Sequence, residues 1–599
     1  MEANKRNLVS VFGQPIQLMV PLFQRPYVWD EEKQWLPLWE NIQALADRQL
    51  AGPDVRPHFL GAVVLDQLKM PTGTVETRQV IDGQQRLTTL QLFLAAARDA
   101  AQALGAIQHS RAFGTLTRND LPLSQNPDEE FKVWPTNVDR VHFRRTLRAG
   151  SPESLRREYL KKDKGKIGHR IPDAYLYFYE EIARWASEDG EEYRLARLDS
   201  LHKTVQSHLL FVVIDLDERD DAQIIFETLN ALGTPLLPAD LVKNYLFHAA
   251  QGEGWPIEEL YAEYWKPFDR DEEFWRAEVT QGRLKRPNID LFLQYYLTLA
   301  TNDEVIATHL FTTFRDYVRK TPALTAGDHL SGLAAYADVY RRLTSFERET
   351  REGVFFYRLA LMETTTVIPF LLELFKQQGG GQGDSDITDI LNALESFLVR
   401  RLVCRLTTKN YNRLFLDLVQ RLRQEGGFTA AGVQRFLLEQ KGDSGRWPND
   451  AEFQASWVDQ PLYRLLVRKR LRMILEAVDA GLHGKFTERL HISGKLQVEH
   501  LIPQSWKEHW PLTDPNIPPQ RRDDLVQTIG NLTLVTENLN PSLSNGPWAM
   551  KRDKILDHSA LNLNRPLRVH QTWTEADITA RSHRLFETAR QIWPYPAAE

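Results

Sequence analysis

Residues 78–101 read RQVIDGQQRLTTLQLFLAAARDAA, a short apolar run that ends in Asp-Gly and leads into a leucine-rich segment. The first part, Arg78–Ile81, is typical of a β-strand because it is short, partly β-branched and followed by turn residues. Apolar side chains then recur at helical spacing, at Leu87, Leu90, Leu94 and Ala97. With two further strand candidates, at 58–65 and 209–214, this pattern predicts an α/β domain over residues 1–248.

The junction between this strand and this helix has a distinct chemistry. A glycine turn that opens a helix presents free backbone N–H groups and the positive end of the helix dipole, which suit phosphate. Arg86 adds a planar cation, and Asp82 can hold a metal or position a water. The run Asp82, Gly83, Gln84, Gln85 and Arg86 therefore predicts an anion or nucleotide site, although it is not a Walker P-loop and does not specify the nucleotide.

The remaining composition is that of a multidomain globular protein. The chain has 599 residues, 42% of them hydrophobic and 26% charged. Residues 249–455 carry helical periods and predict a helical connecting region, within which the glycine-rich stretch 377–386 predicts a loop between two helices. The change of character after residue 455 marks a third domain, 456–599. No apolar run approaches the roughly 20 residues that cross a bilayer, so we expect a soluble, cytoplasmic protein without a membrane partner.

Charge and cysteine content exclude further classes. The single cysteine, Cys404, excludes an internal disulfide and a cysteine-based zinc site. The net charge of −6 means that any contact with DNA requires local basic patches. Such a patch precedes the last domain's motifs and consists of Arg464, Arg468, Lys469, Arg470 and Arg472. Another consists of Arg144, Arg145, Arg148, Arg156, Arg157, Lys161, Lys162, Lys164 and Lys166. Each patch predicts a track for DNA phosphates or, alternatively, a solvated face.

The last domain carries four short motifs in order: VEHLIP at 498–503, IGNLTL at 529–534, NLN at 538–540, and Lys551. Glu499 and His500 are neighbours on a predicted strand, so their side chains point to opposite faces. A hairpin and helix that return Asn540 can complete an oxygen-liganded metal site beside the imidazole. The alternative is a coincidental surface Glu-His pair, but the order of all four motifs favours a nuclease.

This arrangement resembles the ββα-metal, or HNH, nuclease family. The resemblance implies that His500 is the general base, that Glu499 and Asn540 hold one divalent ion, Mg²⁺ or Mn²⁺, and that Asn531 braces the hairpin. Lys551 then serves catalysis as a phosphate contact or is merely exposed. Two features depart from the family pattern: the final ligand is Asn where many members have His, and 31 residues separate His500 from Asn531.

Motifs along the whole chain resemble the GmrSD-type, or type IV, modification-dependent restriction endonucleases. They are Gln24–Tyr27, Val80–Leu90, Trp134–Arg140, Phe226–Leu236, Arg400–Cys404 and Thr407–Asn412. The resemblance implies an N-terminal domain with a ParB/sulfiredoxin-like fold that binds and hydrolyses a nucleoside triphosphate, GTP or ATP. It adds Gln24 and Arg25 to the predicted nucleotide site and implies that both functional halves are fused in one chain.

The function predicted on these grounds is a nucleotide-regulated, metal-dependent endonuclease that restricts modified phage DNA. One alternative is an HNH nuclease of broad specificity whose N-terminal domain only binds DNA. Another is a non-catalytic, nucleotide-switched DNA-binding regulator. Double-strand cleavage needs two HNH sites, which favours a homodimer.

Three local roles stay open on the sequence alone. Tyr27 and Trp29 are candidates for DNA contact or for core packing. Asn230 is a helix C-cap or part of the nucleotide pocket, and Lys243-Asn244 is interpreted as a helix surface.

Overall fold

The computed structural model describes residues 2–22, 24–52, 55–67, 75–120, 126–162, 168–216, 237–281, 284–377, 385–483, 495–507, 510–512, 517–543 and 545–596. These residues form two compact units. The first comprises Met1–Asp271 and Phe314–Leu330, and the second comprises Glu272–Thr313 and Ser331–Glu599. The three-domain division at residues 248 and 455 stays a prediction.

Ten strands occur in the described part of the chain: β1 Glu2–Asn7, β2 Ile16–Met19, β3 His58–Gln67, β4 Glu76–Asp82, β5 Val133–Trp134, β6 Leu209–Leu216, β7 Glu278–Gln281, β8 Leu284–Pro287, β9 Leu496–His500 and β10 Leu532–Thr536. The first unit contains one mixed sheet in the order β1-β6-β3-β4-β2-β5. The strands predicted at 58–65, 78–81 and 209–214 are confirmed as β3, β4 and β6.

Helices make up most of the rest of the described chain. In the first unit they are Leu8–Phe12, Leu36–Ala51, Gln84–Ala103, Ile107–Thr115, Asn137–Arg148, Pro152–Lys162, Arg170–Ser187, Glu191–Ser207, Pro238–Gly252, Ile257–Leu260 and Lys266–Arg270. Leu310–Lys320 and Ala326–Leu343 each contain residues of both units, and Glu272–Trp275 belongs to the second. The second unit adds Asn288–Thr301, Arg351–Met362, Ile368–Gln377, Ser385–Val403, Tyr411–Gln424, Ala430–Glu439, Asp450–Asp459, Leu462–Leu465, Arg468–Gly481, Pro519–Leu525, Asn540–Leu543, Trp548–His558 and Glu575–Ile592. Short 3₁₀ turns lie at Pro127–Glu130, Ala307–His309, Thr365–Val367, Ile529–Asn531 and Arg565–Val569, and π-helical turns lie at Glu31–Trp35 and Tyr261–Trp265.

The Gln84–Ala103 helix is the centre of the first unit's core. It is buried on almost every side, which explains its unusually apolar and alanine-rich sequence. It follows β4 directly through Gly83, as the sequence pattern predicts. The core around it also takes residues from the sheet and from the Arg170–Ser187 and Glu191–Ser207 helices.

The second unit departs from one expectation and confirms another. The middle region is helical as predicted, but it also contains the antiparallel pair β7–β8, whose short polar strands give too weak an alternation to detect. Near the C-terminus, Thr574 caps the Glu575–Ile592 helix in a capping box with Asp577. The glycine-rich loop predicted over 377–386 lies largely outside the described residues.

Lys243 and Asn244 do not lie on a helix surface. Both are buried, and the Lys243 ammonium donates to Asp269 Oδ2 at 2.6 Å between the rings of Tyr261 and Trp265. Asp269, Tyr261 and Trp265 follow Lys243 by 18 to 26 residues, so the sequence around Lys243 does not reveal that they contact it. Among the helices that the structure describes, none is long and apolar enough to cross a membrane.

Candidate functional site

The strand pair β9–β10 positions the residues of the predicted nuclease site. The two strands are antiparallel, with His500 opposite Leu532 and Glu499 opposite Thr533. Because side chains alternate along a strand, Glu499 shares one face with Gln497, while His500 points to the other. The Asn540–Leu543 helix begins four residues after β10 ends.

His500 is buried and in contact with two side chains that the sequence analysis does not identify. Its Nε2 lies 3.4 Å from Gln527 Oε1, and its ring meets the Tyr463 ring edge to face at a centroid distance of 4.2 Å. Burial lowers the pKa of His500 to about 4, against a smaller opposing effect of the Gln527 hydrogen bond. The imidazole is therefore neutral at physiological pH, which is the protonation state that a general base requires.

Asn531 is fully buried, and its side chain bonds to the backbone of two segments, at Ile502 and at Val526. Its Oδ1 accepts from the N–H of Ile502 at 2.8 Å, and its Nδ2 donates to the carbonyls of Ile502 and Val526. The amide thus ties the turn after His500 to the segment that leads into β10. That this tie orients the imidazole stays a prediction.

Glu499 and Lys551 form an ion pair. The Lys551 ammonium donates to Glu499 Oε1 at 2.6 Å and to the His500 carbonyl at 2.5 Å, and its side chain is 0% exposed. Burial lowers the pKa of Lys551, whereas the Glu499 charge raises it. Lys551 therefore contacts the carboxylate of Glu499, the predicted metal ligand, and does not face solvent. The alternative that Lys551 is merely exposed is wrong.

Asn540 contacts the strand that carries Glu499 through Gln497. Its Nδ2 donates to Gln497 Oε1 at 2.7 Å, and Gln497 is two residues from Glu499 on the same strand face. This donor set offers one carboxylate and two amide oxygens, which are ligands that Mg²⁺ and Mn²⁺ accept. Among the described residues no group of three His, Cys, Asp or Glu side chains forms a metal cluster.

The predicted basic track carries acidic partners in the structure. Arg464 pairs with Asp524, Lys469 and Arg470 pair with Glu363, and Arg472 pairs with Glu476, while Arg468 stacks on Tyr463. The first basic patch is likewise partly compensated, by Arg144–Asp128, Arg148–Glu130 and Arg156–Glu180. The side chains of Lys161, Lys162, Lys164 and Lys166 lie outside the described residues. A role in DNA binding stays a prediction for both patches.

The Asp-Gly-Gln-Gln-Arg turn of the first unit is built around a left-handed glycine. Gly83 has φ = +96° and precedes the helix directly. The amide side chains around the turn bond to backbone rather than projecting free: Gln24 donates to the carbonyls of Val80 and Ile81, Gln84 donates to that of Arg25, and Gln85 bonds to Pro26 and Val28. These contacts fasten the Gln24–Val28 segment to the turn.

The charge of Asp82 acts on two guanidinium groups, those of Arg25 and Arg86. Burial lowers the pKa of both Arg25 and Arg86, and the charge of Asp82 raises it in each case; Asp240 also acts on Arg25. Arg86 donates to the Ala62 carbonyl at 2.5 Å and lies against Gly61, where an added Cβ would come within 2.7 Å of its Cζ. A glycine-lined cradle with two cations fits a polyphosphate.

The structure also brings the Gln24–Tyr27 and Trp134–Arg140 motifs together around Tyr27. The backbone N–H of Tyr27 donates to Asp139 Oδ2, and its hydroxyl bonds to Thr89 and accepts from Trp35 Nε1. Tyr27 is therefore a core residue, whereas Trp29 is half-buried at the edge of that core. The Phe226–Leu236 motif, with Asn230, lies outside the described residues.

Three residues at the nuclease site are absent from the sequence-based set. Gln497 could have been predicted from the sequence, because side chains two residues apart on a strand share a face and this places Gln497 beside Glu499. Gln527 and Tyr463 have none, since their proximity to His500 depends on the packing of segments 27 and 37 residues away in the chain.

Comparison with known protein families matches both ends of the chain. Residues 8–247 match the N-terminal domain of the GmrSD restriction endonucleases, and residues 447–588 match the C-terminal domain of the same enzymes. The class is therefore a DNA-cleaving restriction nuclease. The chain belongs to the GmrSD restriction endonuclease family, with both domains in one polypeptide. No curated protein matches the chain significantly.

Proposed function

We propose that this chain is a nucleotide-regulated, metal-dependent endonuclease of the HNH type that restricts modified phage DNA. The observation that carries the proposal is the buried imidazole of His500, whose pKa burial lowers, on the strand that also carries Glu499 and that Asn540 contacts through Gln497. Membership in a restriction endonuclease family supports DNA as the substrate.

The residues of the strand pair divide the chemistry of phosphodiester hydrolysis. His500 takes the proton from the attacking water, which a neutral imidazole is able to do near pH 7. Glu499 and Asn540 hold Mg²⁺ or Mn²⁺, which when bound stabilises the negative charge of the scissile phosphate and of the leaving oxygen. Lys551 fixes the carboxylate of Glu499, and Asn531 fixes the turn that follows His500.

The first unit, in this proposal a ParB/sulfiredoxin-like domain, binds and hydrolyses GTP or ATP. Arg25 and Arg86 contact the phosphates, and Asp82, whose charge acts on both, positions the attacking water or a metal ion. Gly61 leaves room for the Arg86 guanidinium, and Gly83 lets the turn pack against Val63. Gln24, Gln84 and Gln85 act indirectly, because they hold the Arg25 segment in place.

A cleavage panel tests the function as a whole. Unmodified, methylated, hydroxymethylated, glucosylated and phosphorothioated duplexes are incubated with Mg²⁺ or Mn²⁺, with and without each triphosphate. We expect cleavage of at least one modified duplex and a dependence on triphosphate. Equal cleavage of every duplex without nucleotide would instead support the broad-specificity nuclease, and nucleotide-dependent DNA binding without cleavage would support the regulator. Sedimentation of the DNA complex tests the proposed homodimer.

Variants of the turn test the nucleotide site separately. Asp82→Ala and Arg86→Ala should each abolish triphosphate hydrolysis, and Arg86→Ala should also weaken nucleotide binding because it removes a phosphate contact. Arg156→Ala is the control, since Arg156 is an exposed, ion-paired arginine of the same unit. Hydrolysis at the wild-type rate in both turn variants would contradict the assignment.

A further inference from the structure

An aromatic cavity of about 500 Å³ lies in the second unit, away from the nuclease strands. Its walls include five aromatic side chains, Tyr295, Tyr340, Phe346, Phe356 and Tyr357. They belong to the Asn288–Thr301, Ala326–Leu343 and Arg351–Met362 helices and to the segment between the last two. A volume of this size is typical of sites for small organic molecules, which range from about 300 to 1,000 Å³.

Several of the aromatic walls are held in fixed positions by their neighbours. The Tyr340 hydroxyl donates to Asn288 Oδ1 at 2.7 Å, and Phe346 and Phe356 stack at 5.6 Å with nearly parallel rings. Phe346, Phe356 and Tyr357 are only half-buried, so they border the opening of the cavity. Aromatic walls held in this way accept a flat ring with little loss of entropy.

The cavity opens beside a second one, of about 530 Å³, that is lined by charged groups. The two share Arg348 and Tyr357, and the Arg348 guanidinium lies 3.7 Å from the centre of the Tyr357 ring. The second cavity also contains the cations Arg358, Arg472 and Lys495 and the acids Glu349 and Glu476. It ends at Leu496, the first residue of β9, whose carbonyl accepts from Arg472 at 3.5 Å.

We propose that the aromatic cavity receives a nucleobase extruded from the DNA duplex, and that the charged cavity carries the adjoining phosphates towards β9. Aromatic side chains stack on any base, and an arginine stacked on an aromatic ring adds a cation next to that base. Arg358 and Arg472 are paired with Glu395 and Glu476, so Arg348 and Lys495 against Glu349 are the charges of this cavity that favour an anionic backbone. A DNA backbone that follows the charged cavity to β9 would reach the proposed nuclease residues, because β9 carries Glu499 and His500.

The inference rests on the proposed restriction of modified DNA and specifies where a modification on a base is read. A substituent on a base is best inspected once that base has left the stack. The volume of the cavity leaves space for a substituent beyond the ring itself. The same cavity cannot read a modification of the phosphate backbone by this route, which separates the two classes of substrate.

The test measures base extrusion in the full-length chain. Three duplexes carry cytosine, 5-hydroxymethylcytosine or glucosylated 5-hydroxymethylcytosine at one position, with 2-aminopurine next to it as a fluorescent reporter of unstacking. The His500→Ala background prevents cleavage during the measurement. We expect a several-fold rise in fluorescence with at least one modified duplex and a smaller one with cytosine.

Two variants connect that signal to the cavity. Ala360→Trp fills the opening from an exposed helical position, and Arg348→Ala removes the exposed stacked cation. Both should lose most of the fluorescence rise and bind the modified duplex at least tenfold more weakly. Ala431→Trp, at an exposed helical alanine of the same unit outside both cavities, should behave as the parent chain.

The outcomes decide the inference without ambiguity. A full fluorescence rise in Ala360→Trp, or no rise in the parent chain with any of the three duplexes, would overturn it. If the wild-type chain nevertheless cuts modified DNA in the cleavage panel, the proposed function stands and only the base pocket is refuted. Saturable binding of a free aromatic compound with no effect of DNA on it would show that the cavity serves a small ligand and would also overturn the inference.

Discussion

His500 shows how packing sets the chemistry of a single residue. Its ring is buried against Tyr463, and burial stabilises the neutral form because a charged imidazolium loses its hydration. An exposed histidine at this position would be partly protonated at the pH where a nuclease works. The environment therefore keeps the proposed base ready without a carboxylate partner on the ring.

The first prediction concerns the pH dependence of cleavage. With a pKa of about 4, His500 stays neutral as the pH falls from 8 to about 5, so protonation of this group should not reduce the cleavage rate over that range. Below pH 4 the rate should fall about tenfold per unit, because the protonated fraction grows in that proportion. Single-turnover rates between pH 3 and pH 8 measure this. A midpoint near 6.5 would show that the imidazole is not shielded as the structure indicates.

Lys551 provides the second prediction at this scale. Replacing it by Met leaves the mostly buried Glu499 carboxylate without its cation, which should lower the free energy of unfolding by roughly 3 kcal/mol. Mn²⁺ should restore part of that loss if Glu499 is a ligand, because the ion replaces the missing charge. Denaturant unfolding with and without Mn²⁺ measures both effects.

The double variant Lys551→Met with Glu499→Gln is the control for this prediction. It removes both charges, so it should be more stable than Lys551→Met alone and should not respond to Mn²⁺. A Mn²⁺ response equal to that of the single variant would argue against Glu499 as a ligand.

At the scale of elements, two close approaches explain why glycine stands at residues 530 and 61. A Cβ at Gly530 would come within 2.1 Å of the Ile578 carbonyl, so only glycine lets the turn before β10 pack on the Glu575–Ile592 helix. A Cβ at Gly61 would meet the Arg86 guanidinium. The bulge in β3 at this glycine therefore shapes the proposed phosphate site from the neighbouring strand.

The third prediction uses this glycine. Gly61→Ala should displace Arg86 and weaken triphosphate binding by about tenfold, the worth of one charge-assisted contact. Both Gly61, at φ = +105°, and Gly190, at φ = +95°, adopt a left-handed conformation that disfavours alanine, but a Cβ at Gly190 meets nothing within 4 Å. Gly190→Ala therefore carries the same backbone strain without the clash and should bind nucleotide normally. Titration calorimetry compares the two, and equal affinities would contradict a role for the Gly61 contact.

The fourth prediction concerns the basic track before the nuclease motif. If Arg464 and Arg470 contact DNA phosphates, changing both to Gln should lower the slope of log affinity against log salt by about two. The control changes Arg413 and Arg421, which are also exposed and ion-paired but lie on the Tyr411–Gln424 helix. Binding isotherms at several salt concentrations give the slopes. Parallel lines for the wild type and the Arg464/Arg470 variant would mark the track as an ordinary solvated helix face.

At the scale of the whole molecule, the two candidate sites lie in different compact units. They share no residue, and each is completed by contacts within its own unit. The buried pair Arg400 and Arg401 of one family motif also serves the second unit's own structure, because both donate to backbone carbonyls there. Nucleotide hydrolysis and DNA cleavage should consequently be separable by mutation.

The fifth prediction tests that separation. His500→Ala should reduce DNA cleavage by roughly 10² to 10⁴-fold, the usual contribution of a general base, while triphosphate hydrolysis and Mn²⁺ binding persist. Asp82→Ala should instead abolish triphosphate hydrolysis and leave Mn²⁺ binding at the nuclease site intact. Cleavage, hydrolysis and Mn²⁺ binding are measured on the same folded preparations. Cleavage at the wild-type rate in a His500→Ala chain that still hydrolyses triphosphate would refute the HNH assignment.

Local sequence was sufficient for several features of this protein. Strand β4, the glycine turn and the helix after it follow from residues adjacent in the chain, and the order of the nuclease motifs is also a property of the linear sequence. The same motifs indicated the family that the comparisons then established. Such features are predictable because their physical causes, periodicity and turn chemistry, act over a few residues.

Only the tertiary structure decided which partner each side chain meets. Strand β1 joins the sheet beside β6, about 200 residues later, and Arg6 pairs there with Asp215. Lys243 is buried on Asp269, and Lys551 is buried on Glu499, although both sequences read as exposed lysines. Burial and charge pairing depend on segments that are distant in the chain, and so the protonation of His500 and the shape of the aromatic cavity were determined by packing rather than by local pattern.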